Sequence, residues 1–195
     1  MVDNRWLNGC MDKILKVAHM GHPILRQSCR ELLPSEIKSA EFQQLTMDMI
    51  ATMREYNGVG LAAPQVHQSI QLCVIEIEMD NPRYFIKKST PLQIIVNPKI
   101  TPVGSETFEL WEGCLSVPGM KGLVRRPARI QVEGLDENAQ KFKWELEGLP
   151  AVVVQHETDH LFGTLYVDKL LDTELFAFAP EYEKYILPAE KAKGG

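Results

Sequence analysis

The clearest chemical signature is His156-Glu157-Thr158-Asp159-His160. Imidazoles at i and i+4 on a helix point the same way, so His156 and His160 can bind one metal ion, with Glu157 beside it as a base. The bland alternative is two surface histidines on a polar helix. Context favours the metal, because Leu149, Val152 and Val153 fall on the stripe that leads to His156. The histidines then end a buried face, where an unpaired imidazole needs a partner. Catalytic transition-metal centres usually take three protein ligands and leave one position to water, so a third ligand must come from elsewhere.

Three arrangements supply it. A metzincin pattern needs a histidine six residues after His160; Gly163 matches its glycine, but Tyr166 occupies the ligand position. Glu174, Glu181 and Glu183 stand at spacings open to a thermolysin-like glutamate, with nothing around them to mark a ligand. Cys114 is the better candidate: in Glu112-Gly113-Cys114-Leu115-Ser116-Val117-Pro118 it sits between a glycine and turn-forming residues, where a thiolate can reach a metal. Cys10, Cys29 and Cys73 read as small buried hydrophobes, and His19, His22 and His67 as ordinary histidines. A closed structural zinc site competes with a catalytic one, and requires a fourth protein ligand such as Cys73 or His67.

The elements that must position these residues follow from periodicity. Between Glu41 and Tyr56, Phe42, Leu45, Met49, Ile50 and Met53 recur mostly at three- and four-residue intervals and Asn57-Gly58 supplies a stop, which predicts an amphipathic helix. Ser69–Ile77, Gln93–Val96, Glu106–Trp111, Arg129–Val132 and Lys141–Leu146 carry strand signals. Asn97-Pro98, Val103-Gly104 and Gly134-Leu135-Asp136-Glu137-Asn138 separate them as turns. Gly148-Leu149-Pro150 then opens a second helix, Ala151–Phe162, ended by Gly163. Helix, several mostly antiparallel strands and helix is an α+β order, with antiparallel sheets packed around a central metal-binding helix.

Composition bounds the rest. The 195 residues are 45% hydrophobic and 24% charged, and 21 basic against 26 acidic residues give a net charge of −5. That is an ordinary globular composition with enough apolar residue for a core, read as one catalytic domain over 1–195. The acidic balance argues against nucleic acid as substrate. No stretch approaches the ~20 apolar residues needed to cross a bilayer. Met1–Met20 mixes Asp3, Asn4, Arg5, Asp12 and Lys13 among its apolar residues, so no secretory leader is expected. Four widely spaced cysteines fit a reducing compartment, cytoplasmic, or organellar if a leader has been trimmed.

Three segments in order, Gly58-Val59-Gly60-Leu61-Ala62-Ala63-Pro64-Gln65, Glu112-Gly113-Cys114-Leu115-Ser116 and Gln155-His156-Glu157-Thr158-Asp159-His160, resemble the signatures of peptide deformylase, as does the opening Gly21-His22-Pro23-Ile24-Leu25-Arg26. The resemblance implies that Cys114, His156 and His160 ligate a divalent metal and that Glu157 is the general acid/base. It implies oxyanion donors at the Leu115 backbone N–H and the Gln65 amide. A methionine pocket is expected at Leu149, Val152 and Val153, with Gly58 and Glu112 nearby; plain core packing competes for the two valines. Gly58-Val59-Gly60 reads either as turn punctuation or as glycines that let a peptide pair as an added strand, and Gly113 is a further expected substrate-binding residue.

The activity implied is removal of the formyl group from N-formylmethionyl nascent peptides, with release of formate. Ferrous iron is the implied native metal, with Zn2+, Ni2+ or Co2+ as substitutes. Two departures stand out. Lys121 occupies a position where many bacterial members carry a peptide-binding arginine, and loses the planar fork. A transient ribosome contact is the further partner raised, but Pro180 and Pro188 interrupt the tail and Glu181, Glu183 and Glu190 dilute its lysines, so docking through that tail is not supported.

Overall fold

A computed structural model describes residues 12–79 and 89–189, and the expectations for Cys10, for the residues before Asp12 and for Glu190 lie outside them. In chain order the principal elements are α1 (Pro34–Ile37), α2 (Ala40–Glu55), β1 (Gly60–Ala62), β2 (Leu72–Ile77), β3 (Thr90–Pro102), β4 (Thr107–Cys114) and β5 (Val117–Pro127). They continue with β6 (Arg129–Leu135), β7 (Lys141–Glu147), α3 (Leu149–Leu161), β8 (Phe176–Phe178) and α4 (Ala179–Glu181), which runs into a π-turn, Tyr182–Ile186. The strands form two sheets, ordered β1-β2-β3-β6-β7 and β4-β5-β8, and their pairs are antiparallel. The architecture is α+β, as expected.

Both expected helices form, within two residues of their predicted ends. Ser39 caps α2, its hydroxyl accepting from the Phe42 N–H, and the buried face is Phe42, Met49, Ile50 and Met53. Gly148 and Pro150 open α3, and Gly163 at φ 74 lies past its end. One face of the large sheet packs with Ala151, Val153, Val154 and Leu161 of α3; Met49, Ile50 and Met53 of α2 belong to a second cluster with Leu61, Leu72 and Val74. Each fully buried Val, Leu or Ile contributes up to about 1.5–3 kcal/mol through loss of water contact, an upper bound. α3 also touches β5, so it lies where both sheets meet.

Several strand boundaries differ from expectation. Asn97-Pro98 is no turn: β3 passes through it, because Asn97 adopts φ 51 and the pairing with β6 shifts there as a bulge. The Asn97 side chain fixes the site by accepting from the Leu32 N–H and donating to the Leu32 carbonyl, both at 2.9 Å. Val117, Pro118 and Gly119 belong to β5 rather than to a turn. Gly134 and Leu135 still pair within β6, and the turn begins after them. Pro180 does not interrupt the tail but sits in the first turn of α4, where its missing N–H costs nothing. Among the described residues no helix is long and apolar enough to cross a membrane.

Candidate active site

Cys114 ends β4 and faces Val117 across the tight connection to β5; His156 and His160 stand one turn apart on α3. The Cys114 Sγ lies 3.2 Å from His160 Nε2, and the imidazole centroids are 5.1 Å apart, edge to face. One ligand atom from each of the three residues falls within 4.8 Å of the others. Around one tetrahedral ion, sulfur at about 2.3 Å and nitrogen at about 2.0–2.1 Å stand roughly 3.5 Å apart, so the spacing fits a shared ion. Among the described residues, no glutamate joins this group, and neither do Cys73 and His67.

The surroundings suit a cation. Burial, then the charges of His156 and Arg126, hold His160 well below the usual imidazole range, favouring the neutral, ligating form. Its Nδ1 and the Glu157 Oε2 are buried with no hydrogen-bond partner among the described residues. Burial pushes the Glu157 carboxyl up to about 7, with the nearby His156 charge opposing.

His156 is oriented from behind. Its Nδ1 lies 2.7 Å from Glu112 Oε2, which leaves Nε2 for a metal. Arg126 holds both Glu112 oxygens, and donates to Asp159 Oδ2 at 2.7 Å; Lys169 meets the other Asp159 oxygen, also at 2.7 Å. Burial would raise the Glu112 carboxyl, but the bonds from Arg126 and His156 prevail and lower it to about 2. Burial likewise opposes the Arg126 charge, and the two carboxylates raise its pKa despite it. The Glu112 carboxylate thus holds the imidazole of His156 in place. Sequence reasoning missed the network of Arg126, Asp159 and Lys169, because they come from β5, α3 and the 3-10 turn Tyr166–Lys169 and no local spacing joins them.

Gln65 sits in a 3-10 turn, Ala63–Val66, and is 1% exposed. Its Oε1 accepts from the Ala62 N–H at 2.8 Å, which turns the amide NH2 toward Cys114 Sγ (3.4 Å) and Ser116 Oγ (3.2 Å). Leu115 spans the connection between Cys114 and Ser116, whose N–H also donates to the sulfur at 3.4 Å. A Cβ on Gly60 would lie 2.5 Å from Glu157 Oε1, so the carboxylate occupies space that only glycine leaves open.

One pocket gathers the expected residues: Gly58, Val59, Gly60, Gln65, Glu112, Gly113, Cys114, Leu115, Leu149, Val152, Val153, His156 and Glu157. Leu110, which was not anticipated, also lines it; period-2 alternation along β4 from Glu112 would have pointed to it. His160 lies deeper, 1% exposed.

A buried carboxylate beside a three-residue metal group, in an antiparallel α+β frame, defines a metal-dependent hydrolase. Residues 14–175 match the polypeptide deformylase family. A peptide deformylase of Leptospira biflexa is 48% identical over 165 residues, spanning 85% of this chain and 92% of that protein. A Met-Ala-Ser-bound class I type b peptide deformylase of Acinetobacter baumannii superposes with a TM-score of 0.79 at 38% identity, covering 82% of this chain and all of that one. An actinonin complex of a Synechococcus elongatus peptide deformylase gives 0.74 at 34% identity, over 89% and 88% of the two chains. The chain belongs to the peptide deformylase family, metal-dependent hydrolases that remove the formyl group from the N terminus of nascent peptides.

Proposed function

We propose that Cys114, His156 and His160 hold one divalent ion and that Glu157 carries the proton as the formyl amide of an N-formylmethionyl peptide is hydrolysed. The observation that carries this reading is the Glu157 Oε2, buried with no hydrogen-bond partner among the described residues, in the pocket that Cys114 and His156 also line. When bound, the ion supplies Lewis-acid polarisation and brings the pKa of water towards neutrality. Glu157 takes a proton from the attacking water and passes it to the departing peptide nitrogen, which leaves formate and a free amine. The Gln65 Nε2 and the Leu115 N–H donate to the oxygen that becomes negative at the formyl carbon. Leu149, Val152 and Val153 receive the methionine side chain. Gly58-Val59-Gly60 and Gly113 let the peptide backbone approach, and Glu112 holds His156.

Ferrous iron is our reading of the native ion, and the mixed thiolate and imidazole set also accepts Zn2+, Ni2+ or Co2+. The relative solved with Met-Ala-Ser bound supports a peptide product for this chain. Action on nascent peptides places the work where translation occurs, in the cytoplasm or an organelle, with any ribosome contact transient. The test is formate release from a formyl-methionyl peptide by anaerobically purified, iron-loaded protein. Release that a chelator abolishes supports the reading. No release from folded, fully metallated protein overturns it.

A further inference from the structure

Residues 12–20 belong to no helix or strand, yet their amides bond to partners far along the chain. The Lys13 N–H donates to Asp48 Oδ1 at 2.9 Å and the Leu15 N–H to Thr52 Oγ1 at 2.8 Å, both on α2. Asp48 and Thr52 are buried, and buried polar side chains require such partners, so α2 is built to hold this strap. The strap then leaves α2 for two other segments. The Ala18 N–H donates to the Gln65 carbonyl and the Met20 N–H to the Ser116 carbonyl, each at 2.7 Å, and Val17 and Ala18 are buried at the crossing.

Those two carbonyls lie in the segments that carry the oxyanion donors. Gln65 sits in the turn Ala63–Val66 between β1 and β2, and Ser116 follows Leu115 in the connection from β4 to β5. β1 and β4 are in different sheets, so no strand pairing sets the spacing of the two segments. Their direct link is the Gln65 Nε2, which donates to Ser116 Oγ at 3.2 Å and to Cys114 Sγ at 3.4 Å. An amide nitrogen has two hydrogens, and this one must also serve a substrate oxygen, so it cannot remain the tie during reaction. The strap joins the same segments through backbone alone, and the two residues from Ala18 to Met20 span at most about 7 Å.

We propose that the strap 12–20 is a positioning element of the oxyanion site: Ala18 and Met20 set the spacing of the Gln65 amide and the Leu115 N–H, while Lys13 and Leu15 anchor the strap to α2. The inference rests on the reading of Gln65 and Leu115 given above. Donors aimed at developing charge act only if they are in place before the reaction, and a misplacement of about 1 Å costs up to about 10² in rate.

The test replaces the Ala18 N–H by an ester oxygen and keeps the side chain, in the full chain assembled by ligating a synthetic 1–28 segment to the thiol of Cys29. Wild type assembled in the same way is the reference, every protein is loaded with the same metal, and kcat for formyl-Met-Ala-Ser is counted per bound ion. The ester should lower kcat by about 10- to 100-fold and leave metal affinity within about twofold. In Gln65→Leu, which lacks the donor that the Ala18 bond positions, the same ester should change kcat by less than about twofold, whereas a merely structural role would give equal losses in both backgrounds. Where the ligated chain refolds poorly, Ala18→Pro removes the same N–H by expression alone and carries the same comparison. An unchanged kcat, or an equal loss with and without the Gln65 amide, overturns the proposal and leaves deformylation standing. No formate from metallated wild type overturns the deformylase reading and the strap's role with it.

Discussion

Replacing Arg126 with methionine removes the cation from a carboxylate that has almost no access to water. The Arg126 and Glu112 side chains are 2% and 3% exposed, and the guanidinium reaches both Glu112 oxygens and Asp159. Removing one member of a buried ion pair costs about 3–5 kcal/mol, because the other charge stays buried without its partner. At about 2–4 °C per kcal/mol for a domain of this size, Tm falls by roughly 6–20 °C. The neighbour Arg125 is an internal control, since it pairs with Glu109 at 52% and 46% side-chain exposure, and such exposed pairs are worth about 0.2–1 kcal/mol. Equilibrium urea unfolding with chelator present removes any contribution from metal affinity, and circular dichroism with tryptophan fluorescence checks that one transition is followed. Adding Glu112→Gln to Arg126→Met should restore part of the loss. An Arg126→Met cost no larger than that of Arg125→Met would refute the reasoning.

Three further outcomes are expected. Gln65→Leu loses an oxyanion donor and lowers kcat by about 10²–10³ with metal content unchanged, as steady-state formate release and metal analysis will show. Gly60→Ala puts a methyl carbon 2.5 Å from Glu157 Oε1, so the carboxylate must move; kcat falls while far-ultraviolet circular dichroism stays native. Asp168 is partly buried, which alone would raise its pKa, but the Arg26 side chain and the Leu165 N–H lower it overall. A depressed carboxyl stabilises the fold above its unfolded pKa, and the benefit is lost as pH falls through the lower folded value. Asp168→Asn should therefore cost about 0.5–1 kcal/mol at pH 7, modest because the pair is exposed, and nothing in strong acid, as urea unfolding against pH will measure.

Much of the site was legible because its chemistry is local. The i, i+4 histidines, the glycine before Cys114 and the helix limits at Gly148 and Gly163 all act within a few residues. Elements that depend on distant chain were not. β5 hides behind Pro118, Gly119 and Gly122, residues that weaken a strand signal, and its alternation is real only in the fold: Arg125 faces water while Arg126 is buried. β3 reads as ending at Asn97 because Asn-Pro resembles a turn, whereas Asn97 takes φ 51 while its side chain holds Leu32, 65 residues away. Pro180 reads as a helix interruption and is instead a helix start.

The central claim is that Glu157 moves the proton at an ion held by Cys114, His156 and His160. Glu157→Gln keeps the shape of the side chain and removes its basicity. Formate release from a formyl-methionyl peptide, measured on wild type and Glu157→Gln loaded with the same metal, should fall by about 10²–10⁴ in kcat while the variant retains one ion per chain. A fully metallated Glu157→Gln that turns over near the wild-type rate would contradict the account.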